Sequence, residues 1–116
     1  MDYQWKIFWA DLNPIKGSEQ AGVRPVLVIS EEAVNQTLPI VTVICLTSLK
    51  PGRRIYPIEV MLDPEDSHLP KASIVMSHQI RSISKERLTE QCGYINNNLC
   101  KQKIKDVIKL YLDLND

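Results

Sequence analysis

GSEQAGVRPVLVIS, residues Gly17 to Ser30, sets a polar loop holding two glycines against a solid apolar run, Val26 to Ile29, with Arg24 and Pro25 at the joint. β-Branched residues pack well on a pleated surface, and proline lacks the amide a mid-strand position needs, so the run predicts a buried strand opened by Pro25. Gly17 and Gly22 permit turns closed to other residues. Arg24 then sits at the root of a strand, where the sheet holds its permanently charged guanidinium at a fixed place. Such a group suits recognition of a phosphate.

Outward from this stretch the chain keeps a short-strand rhythm. Trp5, Ile7 and Trp9 alternate, predicting a first strand from Trp5 to Leu12, ended by Asn13-Pro14. Ser30-Glu31-Glu32 caps and begins a short helix. Further strands are expected at Ile40 to Leu46, Ile55 to Leu62, Ser73 to Met76, Ile80 to Ile83 and Gln91 to Ile95. A polar loop runs from Asp63 to Lys71, and Ser84 caps one helical turn, SKERL. The tail changes period: Leu99, Ile104, Val107, Ile108, Tyr111 and Leu112 recur three and four apart, with Lys101, Lys105 and Lys109 mainly on the other side. This is an amphipathic helix capped within Asn96 to Asn98, its lysines read as a solvated face. Many short strands with one terminal helix predict a mainly β protein with peripheral α, a small and strongly curved antiparallel barrel.

At 116 residues the chain makes a single domain, 1–116, of ordinary globular composition, 44% hydrophobic and 24% charged. It has no long apolar span and no signal-peptide pattern at MDYQWKIFWADL, so no membrane partner is expected and the protein is expected to stay in the cytoplasm. Cys45, Cys92 and Cys100 lack CxxC spacing, and His68 and His78 stand in separate contexts, so no metal and no cofactor are expected. Fourteen basic and fourteen acidic residues cancel, unlike the excess of a general nucleic-acid binder. The charge is nonetheless uneven. Lys50, Arg53 and Arg54 cluster in one loop, and Arg81, Lys85 and Arg87 in another, which favours gripping a short single strand over coating any nucleic acid.

Three blocks, DLNPIKGSEQAGVRPVLVIS from Asp11, CLTS from Cys45 and SIVMSHQIRSISKERL from Ser73, resemble the MazF/PemK toxins of bacterial toxin–antitoxin pairs, in that family's order and at about its spacing. The resemblance covers roughly Trp5 to Leu88. It implies the SH3-like barrel of the MazF/PemK/CcdB type, usually a homodimer. It also implies a metal-independent, sequence-specific endoribonuclease (an mRNA interferase) acting on single-stranded mRNA, inhibited by a small antitoxin. Cleavage by the ribose 2′-hydroxyl leaves a 2′,3′-cyclic phosphate and a free 5′-hydroxyl.

By the same resemblance Arg24 and Thr47 are the catalytic candidates. Arg24 clamps the phosphate, Thr47 hydrogen-bonds a nonbridging oxygen, and the base is left unassigned. Substrate-binding candidates are Glu19, Gln20, Ser48, Arg53, Arg54 and Gln79. Glu19 either fixes Arg24, meets an RNA base or stabilises its own loop; Gln79 either reads a base edge or bonds backbone. Arg53 and Arg54 grip phosphate or are ordinary surface charge. His78, near neutrality in its reference pKa, departs from the family pattern. A contrasting class is the CcdB-type toxin, which poisons a topoisomerase by protein contact through an apolar, tryptophan-containing C-terminus. This chain ends YLDLND and carries both tryptophans near its start. A barrel serving only as an inactive protein-binding module is the third reading.

Overall fold

In the computed structural model, residues 1–14, 16–20 and 22–114 are described. Six antiparallel strands form one sheet in the order β4-β5-β3-β2-β1-β6. They are β1 (Lys6–Asp11), β2 (Val23–Val28), β3 (Ile40–Ser48), β4 (Glu59–Leu62), β5 (Ser73–Ser84) and β6 (Leu88–Tyr94). Three helices, α1 (Glu32–Thr37), α2 (Pro64–Ser67) and α3 (Asn98–Leu112), lie between and after them. The expected mainly β architecture with a C-terminal amphipathic helix is present.

Alternation along the strands sorts the core into two layers. One face carries Ile7, Leu27, Ile44, Leu46, Val60 and Leu62, covered by Cys100 and Ile104 of α3. The other carries Phe8, Ala10, Leu12, Val26, Val28, Val41, Val43, Cys45, Ile74, Met76 and Ile83. Asn97 caps α3 by accepting the Leu99 and Cys100 amides, within the expected Asn96 to Asn98 signal. Lys101 and Lys105 of that helix lie over the Trp5 ring, at 5.6 and 5.9 Å from its centroid, so these lysines partly serve packing.

The short helix α2 packs against both edge strands, β4 and β6, and so fills the gap that curvature leaves between them. Gly93 makes this approach possible: a Cβ there would come within 2.4 Å of the Ser67 carbonyl oxygen. The stretch from Asp63 to Lys71, expected as a polar loop, holds this helix: Pro64 stands in its first turn, followed by Glu65 and Asp66.

Other differences concern strand ends. β2 begins at Val23 and β3 runs on to Ser48, so Arg24 and Thr47 lie inside strands rather than beside them. β4 starts only at Glu59, because the chain before it closes on itself: the Glu59 amide donates to the Tyr56 carbonyl. The two strands expected at Ser73 to Met76 and Ile80 to Ile83 are one strand, β5, with a wide bulge. Its register runs Leu46↔Val75 and then Ile44↔Ile80, so Met76 to Gln79 all stand opposite Cys45. A bulge re-aims side chains, and here it does so for a polar run, SHQ.

Candidate active site at the open end of the sheet

β2 and β3 pair with Val26 opposite Cys45 and Leu27 opposite Ile44. Pro25 has no amide to give, and the recorded pairing stops at Val26. Two residues beyond that last pair on each strand come Arg24 of β2 and Thr47 of β3. Alternation places both on the face of Val26, Val43 and Cys45, at the end where that apolar layer gives way to polar groups. Arg24 is exposed and Thr47 half-buried. The two candidates, far apart in the chain, are thus neighbours on one surface.

Cys45 reports the field at this place. Burial pushes its thiol up to about 11, while Arg81 and Arg24 pull the other way. Both guanidiniums therefore stand near the same sulfur. At that pKa the group is a neutral thiol at physiological pH, a small apolar filler and not a nucleophile.

The loop between β1 and β2 is tied down beside the site. Its stem is closed by the Leu12 amide on the Gly22 carbonyl at 3.0 Å and the Gly22 amide on Asn13 Oδ1 at 3.2 Å. Arg87 donates to the carbonyls of Asp11 and Asn13, at 3.0 and 2.5 Å. Gln79, on the β5 bulge, accepts the Gln20 amide at 3.3 Å and donates to the Ser18 carbonyl at 3.4 Å. Gln20 reaches Met76 Sδ at 3.9 Å. Glu19 accepts the Lys16 amide at 2.6 Å and so closes its own turn. Of the readings open to Gln79 and Glu19, the backbone-bonding ones describe these contacts. Arg87, expected in a basic loop that grips a strand, braces this stem instead; a guanidinium bonding two backbone carbonyls has no local sequence signal.

Other candidates fall outside this cluster. Ser48 follows Thr47 in the same strand and points to the opposite face, where it lines a small pocket with Trp9, Pro25, Leu69 and Lys71. Arg53 makes a bidentate pair with Glu59, both nitrogen–oxygen distances being 2.9 Å, and its guanidinium lies 5.8 Å from the Tyr56 ring centre. The Glu59 side chain is fully buried and accepts the Tyr56 amide as well. The Arg53 guanidinium holds the Glu59 carboxyl below its ordinary value against the opposing effect of burial. Arg53 is therefore not a freely presented cation. Arg54 and Lys50 are exposed, and Lys50 lines an open depression with Leu49, Pro51 and Ile55. His78 turns to Tyr111 of α3, with ring centroids 6.5 Å apart, and does not join Arg24 and Thr47. Among the described residues no cluster of three or more His, Cys, Asp or Glu is arranged to hold a metal ion.

Known proteins place this geometry in a class. The fold matches a mycobacterial endoribonuclease solved in complex with its cognate antitoxin, with a TM-score of 0.80 over 100% of this chain and 99% of that one at 23% identity, which establishes the fold alone. It also matches MazF from Deinococcus radiodurans, with a TM-score of 0.78, 26% identity and coverage of 97% and 96%. In sequence it is 33% identical over 110 residues to Endoribonuclease EndoA of Bacillus subtilis (strain 168), covering 95% of this chain and 93% of that protein. The family model for PemK-like, MazF-like toxins of type II toxin–antitoxin systems matches residues 3–112. The chain belongs to that family.

Proposed function

We propose that this protein is the toxin of a type II toxin–antitoxin pair and acts as a sequence-specific endoribonuclease on single-stranded mRNA. The observation that carries the reading is the shared face of Arg24 and Thr47, each two residues beyond the last β2–β3 pair, Val26 and Cys45. Cutting RNA without a metal needs no protein nucleophile, because the 2′-hydroxyl beside the scissile phosphate supplies one. The protein must align that hydroxyl with the leaving 5′-oxygen and stabilise charge on the phosphorane. In this reading the Arg24 guanidinium clamps two phosphate oxygens and the Thr47 hydroxyl donates to a nonbridging oxygen. The products are a 2′,3′-cyclic phosphate and a 5′-hydroxyl. A guanidinium stays protonated in proteins, so Arg24 acts by charge and geometry, not as a base.

Around this centre the tied β1–β2 loop, with Glu19 and Gln20, forms one wall and Arg54 with Lys50 supplies outlying positive charge. Gln79 holds the loop, and Arg53 serves Glu59. The partner is a small antitoxin whose tail covers the site, as the family description and the antitoxin complex of the mycobacterial relative support. No helix among the described residues is long and apolar enough to cross a membrane, consistent with action in the cytoplasm where mRNA is found. A homodimer is part of the same proposal; exposed Val34, Leu38 and Ile40 around α1 offer apolar surface for a second copy.

The test is incubation of the purified protein with long single-stranded RNA in excess chelator. Discrete fragments ending in cyclic phosphate and 5′-hydroxyl are expected. Arg24→Ala should slow cleavage about a hundred- to thousandfold, the ~3–4 kcal/mol of one preorganised donor, and Thr47→Val should slow it less. Intact RNA beside an inhibited topoisomerase would replace the nuclease with the CcdB-type reading.

A further inference from the structure

Arg81 stands directly opposite Val43 in the β3–β5 ladder, on the face shared by Val43, Cys45, Thr47 and Arg24. It is the cation of that face just beyond the β5 bulge. The side chain is half-buried, and its Nη1 is shielded from solvent with no hydrogen-bond partner. A buried donor on a permanently charged group is costly when left unmade, more so than for a neutral one. Stable folds rarely keep such a group without an external acceptor. Val43 and Thr47 are four residues apart on β3, roughly 13 Å, and Arg81, opposite Val43, has the Cys45 position between itself and the Thr47 end.

We propose that Arg81 is a second phosphate-binding guanidinium, taking a backbone phosphate of the bound RNA next to the one held by Arg24. The proposal rests on the endoribonuclease reading and names a further contact within the same site. Its physical content is that an RNA oxygen supplies the acceptor that the protein withholds. The neighbouring Gln79, two residues away, ties down the β1–β2 loop, so one strand, β5, braces the wall and carries the cation. An acidic segment of the antitoxin has the same charge, but the alignment with Arg24 and Thr47 favours a phosphate strand.

The experiment uses a single-stranded oligonucleotide spanning a mapped cleavage site, with a 2′-deoxy sugar at the attacking position so that it binds without being cut. Binding is measured across a salt series for the parent, Arg81→Ala and Arg81→Gln. The expected result is affinity weakened about tenfold at low salt and a log–log salt slope shallower by about 0.7, the value for one lost phosphate contact on a single strand. Melting temperatures of the free variants should equal or exceed the parent's, since the lost group had no partner. A parent that cuts RNA while both variants bind with parental affinity and slope overturns the Arg81 assignment and leaves the nuclease standing. Failure of both variants to fold, or weakened binding of the antitoxin alone, overturns it too. A parent that never cuts RNA removes the nuclease reading, and this contact with it.

Discussion

Arg53, in the loop before β4, and Arg81, on β5, have opposite surroundings. Arg53 finds both carboxylate oxygens of Glu59 at 2.9 Å and lies over Tyr56, so its charge is answered within the fold. Arg81 has a buried Nη1 with no partner. The contrast separates two uses of one residue type, although each arginine belongs to a basic cluster of the sequence. A guanidinium paired inside the protein closes a loop; one with an unsatisfied nitrogen on the face of the site offers its charge to a ligand. Charge counts miss this distinction, because pairing and not number decides which cations are available.

The sharpest way to break the comparison is to remove the answered pair. Glu59→Gln leaves Arg53 facing a neutral amide and takes a charged acceptor from the Tyr56 amide. Breaking a buried ion pair costs ~3–5 kcal/mol. Because about a quarter of the Arg53 side chain (26%) is exposed, solvent offsets part of that. The expected destabilisation is about 2–3 kcal/mol by chemical denaturation. RNA binding by the folded variant should keep the parental salt slope. A slope that becomes shallower in Arg53→Ala, with stability unchanged, would return Arg53 to the substrate-gripping set and erase the contrast.

Much of this arrangement was legible in the chain. Alternation in Trp5 to Leu12, the apolar run after Pro25 and the three-and-four spacing of the tail each pointed to the element observed. The joint of loop and strand at Arg24 was visible because proline and glycine mark backbone constraints locally. What stayed hidden depends on contacts across the sheet. The bulge in β5 interrupts the two-residue period at His78 and Gln79, so one strand read as two. The Arg53–Glu59 pair spans a loop containing Pro57, and nothing in that spacing distinguishes it from loose surface charge. Ser48 read as part of the Thr47 motif, whereas strand alternation turns it away. Helix α2 was readable in principle, since Pro64 with Glu65 and Asp66 is a helix-start pattern; the surrounding polarity outweighed it.

Gln79 tests the boundary between the two regions. It stands on the bulge beside the open end, yet both ends of its amide are taken by Gln20 and Ser18. Its role should be to hold the loop wall. Gln79→Ala should lower kcat/KM for RNA about tenfold, equivalent to ~1.4 kcal/mol, without moving the cleaved positions. Gln79→Glu keeps an acceptor for the Gln20 amide and should fall between. Altered cleavage positions in either variant would show that this side chain reads bases, and the loop-holding role would fail.

A smaller effect extends the same logic to a carboxylate. Burial alone would raise the Glu32 pKa, but hydrogen bonds from the Gln4 and Tyr3 amides, Gln36 and Asn35 outweigh it and bring it from 4.5 to about 2. These bonds tie the N-terminal segment to α1, the Tyr3 amide at 3.0 Å and the Gln4 amide at 2.8 Å. Above pH 4.5 the carboxyl is ionised in both folded and unfolded chains, and its contribution to stability is complete. As the pH falls below that, the unfolded chain takes up the proton first, so stability declines until the folded carboxyl also protonates near 2. Glu32→Gln should therefore cost about 1 kcal/mol at neutral pH, a modest figure because the group is partly exposed. The difference from the parent should shrink steadily as pH falls through that window, with RNA cleavage at neutral pH unaffected. A stability difference that stayed constant across the acid range would mean that the ionised form is not favoured by folding, and that answered charges here do not behave as the Arg53–Glu59 pair implies.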